Sequence, residues 1–479
     1  MASLPPDPDL RPDRPPPEPI SDSPDARPSL GFRPAPHQAG RLHALREALD
    51  DAATILGFVR AGLGSRDIDP DQVQWVIDLA PGDGERAWQI LRTLADEAPR
   101  SPTIRYLARC LSPVHHAELA SHPRLQPLLT DGRLWLDRTG TGLPPQPLSN
   151  PPVVLAHHAF SAAPQGLYAI RNGRLLEVCS DPQGRIAWRV PSRRDGPMHL
   201  LTAYRHAFTN VVVTLPIAAM TLLDTVLEAA GGRLLLRASD HGGKDIAQIR
   251  AGVLDALHDE PLAIHDRSQP LSADSGARLA RDPGDRDVEW LASLPVNFEA
   301  LARWHRSHRA DSVRQSQRDD RGRVLHLALH DVPGGRLREC LPDLLALPHP
   351  DDHLESLRLL TAIPTCTAGQ CLAAIHAQAA DSRALLALHA TIATLGPHLS
   401  GTARTAWHAL LERCYDRYYP GRQDRDDPAG TIRIAELAMA LRHWPLARRT
   451  LRDLLRNDPK HARAWRMLAH CWPSTRQPH

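Results

Sequence analysis

Between Val73 and Glu97 the chain reads VQWVIDLAPGDGERAWQILRTLADE, and no other stretch constrains the architecture as much. A short apolar run, Trp75-Val76-Ile77, ends in Asp78, and a loop rich in small residues, Ala80-Pro81-Gly82-Asp83-Gly84, follows. An amphipathic run begins at Glu85, with Trp88, Leu91 and Leu94 at helical spacing. The pattern predicts a strand, a tight glycine turn and a helix. Glycines lack a Cβ, so the backbone can turn sharply and a ligand can lie against it, and the helix start offers free N–H groups. In open α/β sheets such a turn lies at the carboxyl edge of the strands, where ligands bind. The same spacing also marks ordinary turns that hold nothing.

Around this unit the chain predicts more of the same alternation. Residues 1–36 are rich in Pro, Asp and Arg with few aliphatics, the composition of a disordered tail. Gln38 to Leu63 has helical periodicity ahead of the first strand. Thr103–Cys110, Arg133–Leu136 and Val153–Ala156 read as further strands, with a helix at Val114–Ala120, and such alternation implies a parallel, covered sheet. Asn172-Gly173 between two apolar runs signals a hairpin, to which Ile186–Val190 adds a third strand. Val211–Thr214 and Ile217–Leu227 lead to a strand at Arg233–Arg237. Gly242 to Asp287 is polar and irregular, Phe298–His308 is helical, and Val324–Leu329 is a closing strand. Beyond about Gly335 helix follows helix.

Asp-Leu-Ala-Pro-Gly-Asp-Gly resembles the first motif of class I methyltransferases that use S-adenosylmethionine. The segments after it resemble, in order, the MidA-like branch: Thr103–Cys110 into Ser112-Pro113, Val153–Ala156 into Phe160 and Pro164, Gly231–Leu236 with Asp240, and Pro295–Phe298. The resemblance covers about Gln74 to Asp331 and implies a Rossmann-like methyltransferase sheet with a β-hairpin insert facing the substrate. Near the end, Ile434, Ala435, Ala438, Ala447, Leu451, Leu454 and Pro459 match a 34-residue tetratricopeptide unit. Ala462, Trp465, Leu468, Ala469 and Trp472 fall on first-helix positions of a second unit. The expected division is a tail at 1–36, an α/β domain at 37–334 and an all-α helical-repeat domain at 335–479.

The resemblance implies S-adenosylmethionine bound by Asp78, Ala80, Gly82, Gly84 and Cys110, with Asp78 near the charged methionine end. Asp78 reads equally as a turn or cap acid. Ala80 replaces the motif's first glycine, and Cys110 stands where an acid would hold the ribose hydroxyls, a role a thiol cannot take. His157-His158 and Ser161 stand where the branch has Asn-Glu and an Asp. At the carboxyl end of the fourth strand a histidine could act as base; equally, the domain has drifted from catalysis. Both readings stay open: a methyltransferase whose repeats recruit a protein substrate, or a protein-binding scaffold on a relic domain.

Other classes find little support. The formal net charge of +2 gives no global field for nucleic acid, and in Arg303–Arg321 the acids Asp311, Asp319 and Asp320 dilute the basic residues into a solvated face. The seven cysteines lack zinc spacing and read as reduced thiols, so no metal is expected. The start of the chain lacks a secretory pattern, and Val211–Leu223 is too short to span a bilayer, so a cytoplasmic protein is expected.

Overall fold

The computed structural model describes residues 44–97, 102–163, 165–180, 186–191, 198–245, 248, 263–264, 295–316, 323–330, 367–399, 401–420 and 428–472. The tail at 1–36, the boundary near Gly335 and most of the irregular stretch from Gly242 to Asp287 lie outside them.

In chain order the elements are α1 (Ala44–Ser65), β1 (Gln74–Asp78), α2 (Glu85–Glu97), β2 (Ile104–Arg109), α3 (Pro113–Ser121), α4 (Gln126–Thr130), β3 (Leu134–Asp137) and β4 (Val153–His157). The insert follows as β5 (Gly166–Arg171), β6 (Arg174–Ser180), β7 (Ile186–Arg189), α5 (Met198–Ala207) and β8 (Asn210–Leu215). Then come α6 (Ile217–Ala229), β9 (Leu234–Gly243), β10 (Ala263–Ile264), β11 (Val296–Asn297), α7 (Phe298–Ser307), β12 (Asp311–Ser316) and β13 (Arg323–His330). The helical region holds α8 (Ala368–Ala377), α9 (Ser382–Ala387), α10 (His389–Leu395), α11 (Gly401–Asp416), α12 (Ala429–Ala440), α13 (Trp444–Asn457) and α14 (Ala462–His470).

The main sheet has the order β12-β13-β9-β4-β1-β2-β3, with β11 beside β9. The strands from β3 to β9 are parallel, and β13 runs antiparallel to both its neighbours. This is a Rossmann-like sheet. The order reverses between β1 and β4, so a crevice opens there at the carboxyl ends. Alternation sorts the strand residues between two layers. Val76, Val153, Leu155, Leu235 and Tyr106 pack under α1 and α2, while Ile77, Val154, Ala156, Leu236 and Ala238 pack under α6 and α7. The hairpin insert forms a second sheet, β10-β7-β6-β5-β8, with β5 pairing β6 around Asn172-Gly173 as its sequence requires.

The sequence reading did not give β12, which lies inside the stretch read as a solvated basic face, nor α4 and α5, while Val211–Thr214 forms β8, the edge of the antiparallel sheet. The residues that carry the repeat resemblance lie in helices, with Ile434, Ala435 and Ala438 of α12 and Ala447 and Leu451 of α13 all buried.

The helical region is seated on the glycine turn and α2. The Tyr419 hydroxyl donates to the Asp83 carbonyl at 2.7 Å, and its ring stacks on His122 with centroids 4.1 Å apart and planes 5° from parallel. Gln89 Nε2 donates to the Arg417 carbonyl at 2.9 Å, His122 Nε2 lies 3.0 Å from the Pro420 carbonyl, and Arg92 donates to the Asp416 carbonyl. Arg383 forms an ion pair with Glu85 at the start of α2. Tyr419 is buried in the apolar layer beneath α2, α3 and α4, and the two regions therefore share a core.

Replacing Tyr419 should show how strongly they are joined. Tyr419→Ala is expected to lower unfolding free energy by about 3–5 kcal/mol, as for other buried aromatics. Tyr419→Phe, which loses only the hydroxyl bond, should lower it by about 1 kcal/mol. Equilibrium denaturation of both variants checks this; a Tyr419→Ala protein as stable as the parent would contradict it.

Candidate functional site

The glycine turn is held rigidly from below. Asp78, fully buried at the end of β1, accepts from Arg86 through both carboxylate oxygens at 3.2–3.3 Å and from the Tyr106 hydroxyl at 2.5 Å. The Ala80 N–H donates to Asp78 Oδ1 at 3.1 Å, and Arg86 also reaches the Ala80 carbonyl at 2.7 Å. The Arg86 charge is held strongly by these partners, and burial against the Asp78 carboxylate raises the Tyr106 phenol well above its ordinary value. The Asp78 oxygens are turned to protein groups at the turn and on β2 and α2.

The two glycines differ in what lies beside them. Gly82 has φ +58°, and a Cβ added there would meet nothing within 4 Å. Gly84 has φ +86°, and a Cβ there would come within 2.7 Å of Leu125, 3.0 Å of Leu119 and 3.2 Å of the Tyr419 hydroxyl. Gly84 thus makes room for protein, and Gly82 alone leaves open space toward a ligand.

Across the crevice, His115 of α3 bridges the first two turns. Its Nδ1 accepts from the Leu111 N–H at 3.2 Å, which leaves Nε2 protonated to donate to the Gly82 carbonyl at 2.6 Å. Ser112 caps α3 by accepting from the His115 N–H. Sequence reasoning missed His115; the only signal was its place in the first turn of the helix that follows β2. Cys110 is buried in the apolar layer, and burial pushes its thiol up to about 11, so it offers the crevice no charge. Asp137, the acid at the end of β3, is spent on its own loop, accepting from the N–H groups of Thr139, Gly140 and Gly142 at 2.7–3.2 Å.

The two candidate histidines part company. His157 shares the inner face of β4 with Val153 and Leu155, is 2% exposed, and sits 3.0 Å from Asp51 Oδ1 under α1. Arg237 of β9 donates to the same oxygen at 2.6 Å. Burial works against the Asp51 charge, but His157 and Arg237 outweigh it and hold the carboxyl down at about 2. His157 is a structural partner, turned away from the crevice by strand alternation. His158, one residue on, has φ +54° and lies at the open edge with its side chain 46% exposed. Its Nδ1 is 3.8 Å from Asp240 Oδ1, and its ring meets that of His241 at 5.6 Å. Asp240 is fully buried and fixed by the N–H groups of Phe160, Ser161 and His241 at 2.8–3.0 Å. A carboxylate so held behind an exposed imidazole is an arrangement suited to proton transfer.

No family model matches this chain, and no curated protein sequence does. Among solved structures it is similar to a COG1565 superfamily member from Burkholderia thailandensis, inferred to be a methyl transferase and bound to S-adenosyl-homocysteine: 18% identity over 68% of this chain and 73% of that one, TM-score 0.35. It is also similar to an uncharacterized COG1565 superfamily protein of the same organism: 15% identity, 62% of this chain and 94% of that one, TM-score 0.32. At these values no residue role carries over. Among the described residues no helix is long and apolar enough to cross a membrane.

Behind the site, between α7 and β13, three buried histidines touch. His305 Nδ1 lies 2.7 Å from His330 Nε2, and the His305 and His326 rings stack at 4.9 Å. Burial pushes His326 down to about 3, with Arg314 adding to it, and His330 down to about 4; His305 falls well below its ordinary value. Their folded values lie below the ordinary 6.5, so the unfolded chain binds more protons and stability falls as pH drops from about 6.5 toward 4. Each histidine contributes a slope of up to about 1.4 kcal/mol per pH unit in that window. His326→Leu should flatten the slope by about that much in denaturation series between pH 7 and pH 4.5; an unchanged slope would contradict the assignment.

Proposed function

We propose that this chain is a methyltransferase that takes S-adenosylmethionine over the Gly82 turn and acts on a protein substrate brought by the helical region. The observation that carries the reading is the open-faced Gly82 turn at the reversal between β1 and β4, where ligands of such sheets bind. The methyl end of the crevice fits the cofactor: the turn admits a ligand, and His158, backed by Asp240, stands on the β4 side to take the proton that a nucleophile sheds on methylation. The bound cofactor would supply an activated methyl group. Leu111 just after β2 and Val114 in the first turn of α3, both more than half exposed, offer apolar surface for its base or for the substrate.

The ribose end fits poorly. Cys110 is buried and uncharged, Asp137 is engaged, and His115 must release the Gly82 carbonyl for a ligand to sit close. The missing charged hydrogen bond costs about 1.5–3 kcal/mol, a ten- to hundred-fold loss of affinity. That specific defect favours a second reading, a non-catalytic scaffold on a relic methyltransferase domain. A protein or peptide partner for the helices belongs to both readings.

Calorimetry of the full chain with S-adenosylmethionine and S-adenosylhomocysteine separates them. Weak but saturable binding is expected. Gly82→Val should abolish it with modest loss of stability, because the new side chain enters the open space and strains a positive φ. Gly84→Val should instead destabilise the fold by overpacking against Leu125 and Leu119. His158→Gln should leave binding in place. No heat with either ligand would leave the scaffold reading standing.

A further inference from the structure

The last described helix carries two apolar faces, and only one of them has a partner. Ala464, Leu468 and Cys471 are buried in the helical core. On another side of α14, Ala462, Trp465 and Ala469 follow one another at i, i+3 and i+7, Trp472 comes two residues past the helix end, and all four are exposed, Trp465 at 53% and Trp472 at 54%. The unit before shows how the same positions are covered there. Thirty-four residues earlier, Ala469 and Trp472 correspond to Ala435 and Ala438 of α12, which are fully buried in the core that α12 shares with α13. α13 is the second helix of that pair; among the described residues, no second helix covers α14.

The border of the stripe is basic. Arg448 and Arg452 of α13 lie over the Trp472 ring at 5.9 and 5.4 Å. From residue 428 to 472 there are nine Arg and Lys against three acids, in a chain whose net charge is only +2. Those three acids are engaged within the fold. Glu436 pairs with Arg463, Asp453 with Arg456 and the Tyr415 hydroxyl, and Asp458 accepts from the Lys460 N–H.

We propose that the stripe Ala462–Trp465–Ala469–Trp472 receives an amphipathic helix of a partner protein, bearing acids beside its apolar face. The small residues Ala462 and Ala469 let a helix approach closely, and the tryptophans supply the anchoring area. Arg448 and Arg452 set the partner's charge and guide its approach. The inference rests on the helical region being the partner-binding part; it stands whether or not a cofactor binds, and the cofactor titration fails or succeeds separately.

The test is fluorescence anisotropy of the full chain with a labelled five-turn helical peptide carrying a Leu/Ala stripe bordered by Glu. Binding is expected, and it should weaken with added salt. Trp472→Ala and the pair Arg448→Glu with Arg452→Glu should each weaken it about ten-fold or more, with the circular dichroism spectrum unchanged because Trp472 and Arg452 are exposed and Arg448 is only half-buried. Four outcomes overturn the proposal. They are no binding, equal binding of a scrambled peptide lacking the stripe, tighter binding of single-stranded oligo-dT, and a concentration-dependent dimer abolished by Trp472→Ala, which would give the face to a second copy.

Discussion

A carboxylate buried at the end of a central strand is tolerable only if its charge is answered, and the answer to Asp78 organises the first half of this protein. Arg86 comes from the first turn of α2, so pairing it with Asp78 dictates how far the chain travels between strand and helix. Removing one partner would leave the other charged and buried, the costliest kind of defect in a core. The Tyr106 hydroxyl ties β2 into the same cluster, and Asp51, His157 and Arg237 extend a buried polar layer beneath α1 toward β9. The crevice thus lies above a floor of paired charges. What the floor gains in rigidity it denies to ligands, since the Asp78 oxygens are engaged by Arg86, Tyr106 and the Ala80 N–H and His157 is buried beneath α1.

That floor also explains why chemistry, where it exists, collects at the rim. Only residues past the strand ends escape the buried layer: the open side of Gly82, His115 across from it, and His158 over Asp240. A positive φ at His158, uncommon for a non-glycine residue, aims its ring outward from a strand whose preceding side chain points inward.

The sequence made the β1–turn–α2 unit legible because strand, glycines and amphipathic helix each signal independently and here agree. The Asn172-Gly173 hairpin and the spacing of Ile434, Ala435 and Ala438 were legible for the same reason. What escaped depends on register. Whether His157 or His158 faces the crevice is decided by one residue of strand phase, and the sequence carries both at the strand end. β12 was hidden because an edge strand that carries Asp311, Arg314 and Gln315 has the composition of a solvated loop, and the pairing of Arg314 with Glu299 is visible only in the fold. Cys110 announced a lost acid, but its burial followed from packing with α3 and α4, elements whose docking no local pattern reports.

The junction between the helical region and the sheet domain is written largely in main-chain atoms. Gln89, Arg92 and His122 all address carbonyl oxygens of Arg417, Asp416 and Pro420, and Tyr419 in turn addresses the carbonyl of Asp83. Every residue type offers that oxygen in the same place. The side chains of Asp416, Arg417 and Pro420 make none of these bonds and can vary without breaking them, whereas Tyr419 cannot, and a single inserted or deleted residue would move all of the carbonyls out of reach together. The joint tolerates spelling changes but not a change of reading frame in space.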